Sequence, residues 1–311
     1  MKVGVGIGTE VIGAPLAPGA FVDAAVQAEA DGFPSAWCVH FSRGADGLTM
    51  LALAGASTDR IELGVSVVPT YPRHPLALAQ QAATVQASMD GRLTLGIGVS
   101  HRPVIEGMHG LAYERPAQHM REYLSVLGPM LDGGQVKFKG ELFQVDAQVR
   151  VPEANPVSIV VAALSPGMLR VAGELSDGVV TWMTGRRTLE RDIVPAVTTS
   201  AQSSGRRQPR VVVGLPIAVC ERVDDGRQQA NDLLSLYGTL PNYQRVLESE
   251  GASTPGDIAV VGDEGAVEAQ LRDYAAAGAT ELSSVLLPVG DDPAASVRRT
   301  TELLRALGPE L

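Results

Sequence analysis

Only two cysteines, Cys38 and Cys220, occur in the 311 residues. Two thiols make no disulfide framework, so two buried free thiols in a reducing cytoplasm are expected. No apolar run approaches the ~20 residues that a membrane-spanning helix needs. The first residues, Met1-Lys2-Val3-Gly4-Val5-Gly6-Ile7-Gly8, are broken by Thr9-Glu10. That is too short for the apolar stretch of a secretory signal and fits a first strand instead. Positive charge is in deficit: 25 Lys and Arg face 35 Asp and Glu, for a net charge of −10. An acidic surface repels phosphate backbones and anionic lipid, so neither nucleic acid nor a membrane is expected as a partner.

Familiar catalytic signatures are also missing. There is no H-E-x-x-H, C-x-x-C, Walker loop or G-x-S-x-G. The five histidines, His40, His74, His101, His109 and His119, lack the spacing of a metal cluster, and no metal is expected. No dinucleotide fingerprint opens the chain, because the glycines of Gly4-Val5-Gly6-Ile7-Gly8 alternate inside a strand and no helix begins at their end. No linker, repeat or low-complexity tract divides residues 1–311, so one domain is expected.

What is present is apolar material, 45% of the chain against 19% charged, in a regular alternation. Short β-rich runs are read at Val3–Gly8, Ser35–Val39, Ile61–Val68, Leu93–Ile97, Val157–Ala162, Gly178–Thr181, Val211–Val219 and Glu281–Leu287. Helical periodicity follows them at Phe21–Asp31, Leu48–Ser57, Pro75–Met89, Gln118–Leu131, Pro166–Leu175, Thr188–Ser203, Gly226–Leu236, Glu264–Ala277 and Ala294–Leu307. A small hairpin is read around Lys139-Gly140-Glu141, and Leu240–Ser253 reads as irregular or partly helical. An open doubly wound sheet shares the alternation. The count of eight units and the missing fingerprint favour an α/β fold of the (β/α)8 (TIM) barrel type, with insertions after strands four and seven.

In such a barrel, chemistry sits at the C-terminal ends of the strands. Strand two ends at His40, whose titration range suits proton transfer. Strand three runs into Pro69-Thr70-Tyr71-Pro72-Arg73-His74-Pro75, a stiff crossing in which His74 reads as structural. Strand four ends in Gly98, Val99 and Ser100, followed by His101 and Arg102, and Gly98 would let a ligand approach the backbone. After strand five, Ser165 reads as a helix cap and Pro166 as the first helical residue, an arrangement that can receive an anion. Strand six ends in Thr181-Trp182-Met183, a polar group and a flat side chain at the same rim.

Several runs then resemble one family. They are Ile61-Glu62-Leu63-Gly64-Val65-Ser66-Val67-Val68-Pro69 with Arg73-His74-Pro75, and Gly91-Arg92-Leu93-Thr94-Leu95-Gly96-Ile97-Gly98. Gly32-Phe33 with Ala36-Trp37 before His40, and Val160-Val161-Ala162-Ala163 with Ala172-Gly173-Glu174-Leu175-Ser176-Asp177-Gly178, follow the same pattern. In this order they resemble the luciferase-like flavin and deazaflavin oxidoreductases, most nearly the actinobacterial branch that uses coenzyme F420. The resemblance implies a non-proline cis peptide at Ser66-Val67 behind the cofactor ring, with Val67 propping it. It implies that Gly98, Val99 and Ser100 line the ring and polyol, with Thr181 at the rim. It implies that Ala163, Leu164, Ser165, Gly167 and Met168 hold the phosphate. His40 would meet the ring edge or the substrate, as proton donor or acceptor. The implied reaction is hydride transfer between F420 and a small organic substrate. The alternatives are an FMN-dependent monooxygenase and a catalytically silent ligand-binding barrel. The resemblance further implies a homodimer packed through early barrel helices. Two positions depart from the sugar-phosphate dehydrogenases of the branch: Val39 and Ser100-His101-Arg102 stand where acidic residues belong, so no glucose-6-phosphate activity is implied.

Overall fold

Eight parallel strands close on themselves, each apolar run pairing with its neighbour and the last with the first. The computed structural model describes residues 1–8, 16–308 and 311; Thr9-Glu10 lies outside them. The strands are β1 (Lys2–Gly6), β2 (Ser35–Cys38), β3 (Glu62–Pro69), β4 (Leu93–Gly98), β5 (Gln135–Lys139), β6 (Gln144–Gln148), β7 (Ser158–Ala162), β8 (Gly178–Trp182), β9 (Arg210–Val219), β10 (Val260–Gly262) and β11 (Glu281–Leu286). The ring runs β1-β2-β3-β4-β7-β8-β9-β11 and back to β1. β5 and β6 form the antiparallel hairpin of the first insertion. The second insertion carries helices Val223–Thr239 and Pro241–Glu250. The expected barrel and both insertions are therefore present. No helix among the described residues is long and apolar enough to cross a membrane.

Three local differences have local reasons. The loop expected after strand four contains a short helix, Arg102–Gly107, with Pro103 in its first turn. The helix expected over Thr188–Ser203 opens with a π-helical stretch, Leu189–Ile193, before Val194–Ser203 continues in α form. β10, only three residues long, adds to the outer end of the long β9 and gives no periodic signal.

The barrel interior is filled from one side by Trp37, which packs with Val160, Val180 and Val212. Glycines on neighbouring strands make the room. A Cβ at Gly64 would lie 2.4 Å from Trp37 Cε3, and one at Gly4 would lie 3.1 Å from Cδ1. Below Trp37, the N-terminal strand ends are closed by one polar cluster. Arg210 donates to Glu62 (2.6 Å), Glu281 (2.6 Å), Thr94 (2.9 Å) and Ser158 (3.1 Å). Glu281 also accepts from Ser35 Oγ (2.7 Å) and Trp37 Nε1 (3.0 Å), and Lys2 donates to Glu62 (2.7 Å). Burial alone would raise the Glu62 carboxyl, but the Arg210 charge and the bonds from Lys2 and Thr94 bring it down to about 2. The floor of the barrel is thus a satisfied ionic plug.

Candidate active site at the barrel mouth

His40 follows β2, with its ring largely enclosed. Its Nδ1 accepts the backbone N–H of Gly47 at 3.1 Å, and Asp46 Oδ2 stands 3.8 Å from the same nitrogen. Asp46 is held elsewhere. It caps helix Gly47–Gly55 by accepting from Thr49 N (2.9 Å), takes a bond from Gln81 Nε2 (3.1 Å), and pairs with Arg73, which also donates to Gln81 (2.7 Å). Burial would raise the Asp46 carboxyl, yet the bonds from Arg73 and Thr49 lower it to about 2. His40 shifts down, first because burial disfavours its cation and then because of the Arg73 charge, with Asp46 opposing. A neutral ring whose Nδ1 accepts a hydrogen bond carries its proton on Nε2. His40 therefore presents a donor.

On the next strand the Ser66–Val67 peptide is cis, and the β3–β4 register shifts between Val65 and Val68. Val67 leans over β4. A Cβ at Gly98 would lie 2.7 Å from Val67 Cγ2 and 3.0 Å from Ala162 Cβ. This revises the reading of Gly98: the space its missing side chain leaves is taken by Val67, so the glycine serves the bulge. Just beyond it, Ser100 adopts φ +58° and, after β8, Met183 adopts φ +49°, left-handed conformations that side-chain-bearing residues rarely take.

The end of β8 holds two polar atoms without partners among the described residues, Thr181 Oγ1 and Trp182 Nε1. Thr181 is 3% exposed, and it corrects the expectation of a polar group over the rim: β8 alternates, so Val180 faces the interior beside Trp37 while Thr181 turns to the helix side with Val179. Trp182 fits because β9 offers Gly214, where a Cβ would lie 2.9 Å from Trp182 Cε3. Its ring meets Tyr237 edge-on at 6.0 Å; Tyr237 meets Tyr243 at 5.1 Å, and both meet His101 at 6.3 and 6.0 Å. The second insertion thus lays an aromatic roof between the ends of β4 and β8. Burial lowers His101 and raises both tyrosines.

At the end of β7, Ala163 and Leu164 lead into Ser165, which caps helix Pro166–Leu175 by accepting from Met168 N at 3.4 Å. Pro166 has no N–H, and Gly167 keeps its backbone close to the helix that carries Ala117. The other histidines are occupied. His74 caps helix Pro75–Ser88, His109 bonds Ser42 at 3.0 Å, and His119 bonds Thr70 at 3.0 Å while stacking on Tyr71 at 4.0 Å. Every sequence-expected residue therefore lies at the C-terminal end of β2, β3, β4, β7 or β8, or in the first turn after β7. Direct contact joins Val67 to Gly98; Ser165, Gly167 and Met168 form a separate group.

The family model for luciferase-like monooxygenase matches residues 1–281. A protein of Mycobacterium tuberculosis described as uncharacterised is 31% identical over 74% of this chain and 71% of its own length. An F420-dependent glucose-6-phosphate dehydrogenase of Kineococcus radiotolerans is 33% identical over 63% of this chain and 62% of its own. Among solved structures, the coenzyme F420-dependent tetrahydromethanopterin reductase of Methanopyrus kandleri superposes with TM-score 0.78 at 22% identity, covering 100% of this chain and 98% of that one. The chain belongs to the luciferase-like monooxygenase family. As a luciferase-like protein it is an enzyme of the oxidoreductase class. Sequence reasoning missed two parts of this luciferase-like site. The Asp46–Arg73–Gln81 support behind His40 had one local signal, the Asp46-to-Thr49 capping spacing. The Tyr237 and Tyr243 roof had none, because the insertion that carries it reads as partly irregular.

Proposed function

We propose that the chain is an F420-dependent oxidoreductase that passes hydride between the deazaflavin and a small organic substrate. The observation that carries this reading is the buried indole N–H of Trp182 at the mouth, without a partner among the described residues, in a family whose relative from Kineococcus radiotolerans is named for F420. Buried polar groups without partners cost stability, so a site that keeps them suits a polar ligand. Ser66, Val67, Val99 and Ser100 would hold the ring, with Gly98 admitting the bulge beneath it. Ala163, Leu164, Ser165, Gly167 and Met168 would hold the phosphate at the helix start. When bound, the deazaflavin supplies hydride chemistry and, unlike reduced flavin, does not activate oxygen.

His40 then acts as a hydrogen-bond donor. Its Nε2–H steadies an atom that gains negative charge, which suits reduction of a polarised double bond. A base role would need a free Nε2 lone pair, and the Gly47 bond assigns the proton there. The rings of His101, Trp182, Tyr237 and Tyr243 give the substrate a flat, largely apolar surface. Residues 1–311 work as one domain in this reading. A cytoplasmic setting agrees with two buried free thiols, and a homodimer agrees with Val26 and Leu53, apolar and exposed on the first two helices.

The test is a calorimetric titration of the purified protein with F420 and, separately, FMN. Tight F420 binding with FMN ignored is expected. Tight FMN binding alone overturns the reading in favour of oxygen chemistry, and binding of neither overturns it in favour of a silent barrel.

A further inference from the structure

A carboxylate bonded to one nitrogen of a histidine ring draws the imidazole proton there and leaves the other nitrogen as a base. His40 has such a neighbour and is kept from it. Asp46 Oδ2 stands 3.8 Å from His40 Nδ1, too far for a hydrogen bond, and Nδ1 is filled instead by the backbone N–H of Gly47. The cause lies in how the carboxylate is held. Its Oδ1 accepts from Thr49 N (2.9 Å), Thr49 Oγ1 (2.9 Å) and Gln81 Nε2 (3.1 Å). Its Oδ2, the oxygen that stands near the ring, is taken by Arg73 Nη2. Arg73 is fixed in turn, by Gln81 Oε1 (2.7 Å) and by its own backbone N–H on Thr70 O (3.2 Å) between Pro72 and Pro75. The charges that act on His40 come from two elements, Asp46 on its own loop and Arg73 on the crossing after β3. Helix Pro75–Ser88 brings only the neutral Gln81 to this network, and β2 brings the Cys38 thiol, pushed up to about 12 by burial and then by Asp46.

We infer that Arg73 is the positioning residue that keeps His40 a donor: by holding Asp46 Oδ2, it denies the ring the carboxylate that would draw the proton to Nδ1. The inference rests on the donor role given to His40 above. Without Arg73, Oδ2 is free to accept from a protonated Nδ1. Such a charge-assisted bond is roughly twice as strong as the neutral Gly47 bond it displaces, so the proton moves. Oδ1 keeps its bonds to Thr49, and the start of helix Gly47–Gly55 survives the change. Nε2 then bears a lone pair and takes a proton from a substrate hydroxyl, where before it steadied a developing oxyanion. Arg73 thus selects the substrate class that His40 serves: a carbonyl or another polarised acceptor with the arginine in place, a hydroxyl donor without it.

The experiment reads the ring nitrogens of His40 by NMR in the full chain carrying isotope-labelled histidine, with the His40 signals identified as those lost in His40→Gln. Wild type at neutral pH is expected to carry its proton on Nε2 and none on Nδ1. In Arg73→Gln the proton should move to Nδ1, and the midpoint of the His40 titration should rise. The arginine charge that opposes the imidazolium is then gone, and Asp46 is free to favour it. Arg73→Lys keeps a cation on Asp46 and should keep the wild-type pattern. Arg73→Gln/Asp46→Asn removes the carboxylate that captures the proton and should return it to Nε2, which a general loosening of the site would not do. A wild-type proton on Nδ1 overturns the assignment. So does an Arg73→Gln variant with the wild-type pattern, or a double variant that matches Arg73→Gln. None of these measurements uses the cofactor, so the F420 reading stands or falls separately, in the titration with F420 and FMN.

Discussion

At the N-terminal end of the barrel, Arg210 makes four hydrogen bonds and joins two carboxylates, one of them 1% exposed. At the C-terminal end, Trp182 keeps a buried indole N–H with no partner among the described residues, and Ser100 and Met183 sit in left-handed backbone. The same eight strands supply both ends. The difference separates stability from function: the floor completes its own polar bonds, and the mouth leaves them for something else.

The largest break in this comparison is Arg210→Ala. It strands the buried carboxylate of Glu281 and takes one partner from half-buried Glu62, and a loss of about 3–5 kcal/mol is expected, read from the denaturant midpoint, with turnover per folded molecule unchanged. At the other end, His40→Ala should lower turnover about 10²–10³-fold, the scale of one lost transition-state donor, with little change in melting temperature. His40→Gln keeps an N–H donor and should recover part of that loss; a Gln variant as slow as Ala would end the donor assignment.

Acid sharpens the contrast. His40 and His101 at the mouth are shifted down, and burial takes His119 down to about 4 against the pull of Glu122. Below pH ~6.5 the unfolded chain then binds protons that the folded chain refuses, so stability is full above that value and falls towards pH ~4. Glu62 in the floor, held at about 2, adds its own loss only below pH ~4.5. Denaturant midpoints at pH 7.5 and 5.5 should differ, and equal midpoints would contradict the histidine shifts. The smallest effect is Trp182→Phe. Removing an unsatisfied indole N–H should leave stability unchanged or raise it by up to about 1 kcal/mol, while F420 affinity falls roughly 5–10-fold. Lost stability with unchanged affinity would make Trp182 an ordinary wall residue.

Much of the barrel was legible because its signals are local. Ser165-Pro166 fixes a helix start through a cap and a preset φ, and Pro166–Leu175 forms over the expected residues. β9 is a near-continuous apolar run, as a strand covered on both faces must be. Strand ends also located His40 just past β2, while the face of β8 that Thr181 takes needed the alternation of the strand itself. Partnerships were not legible, since they join distant residues: Arg210 to Glu62 across 148 positions, Arg73 to Asp46 across 27. The role of Gly98 was hidden for the same reason, because what fills its space is a side chain from the neighbouring strand.

The chain holds two tryptophans, and the barrel places one at each level. Trp37 is sealed in the interior with its indole N–H on Glu281, while the Trp182 indole N–H at the rim has no partner among the described residues. Their emission should separate without any added label. The interior indole responds when the barrel unfolds. The rim indole is quenched by energy transfer when a chromophore settles at the mouth, and Trp182→Phe would leave a protein whose fluorescence follows folding and is far less sensitive to occupancy.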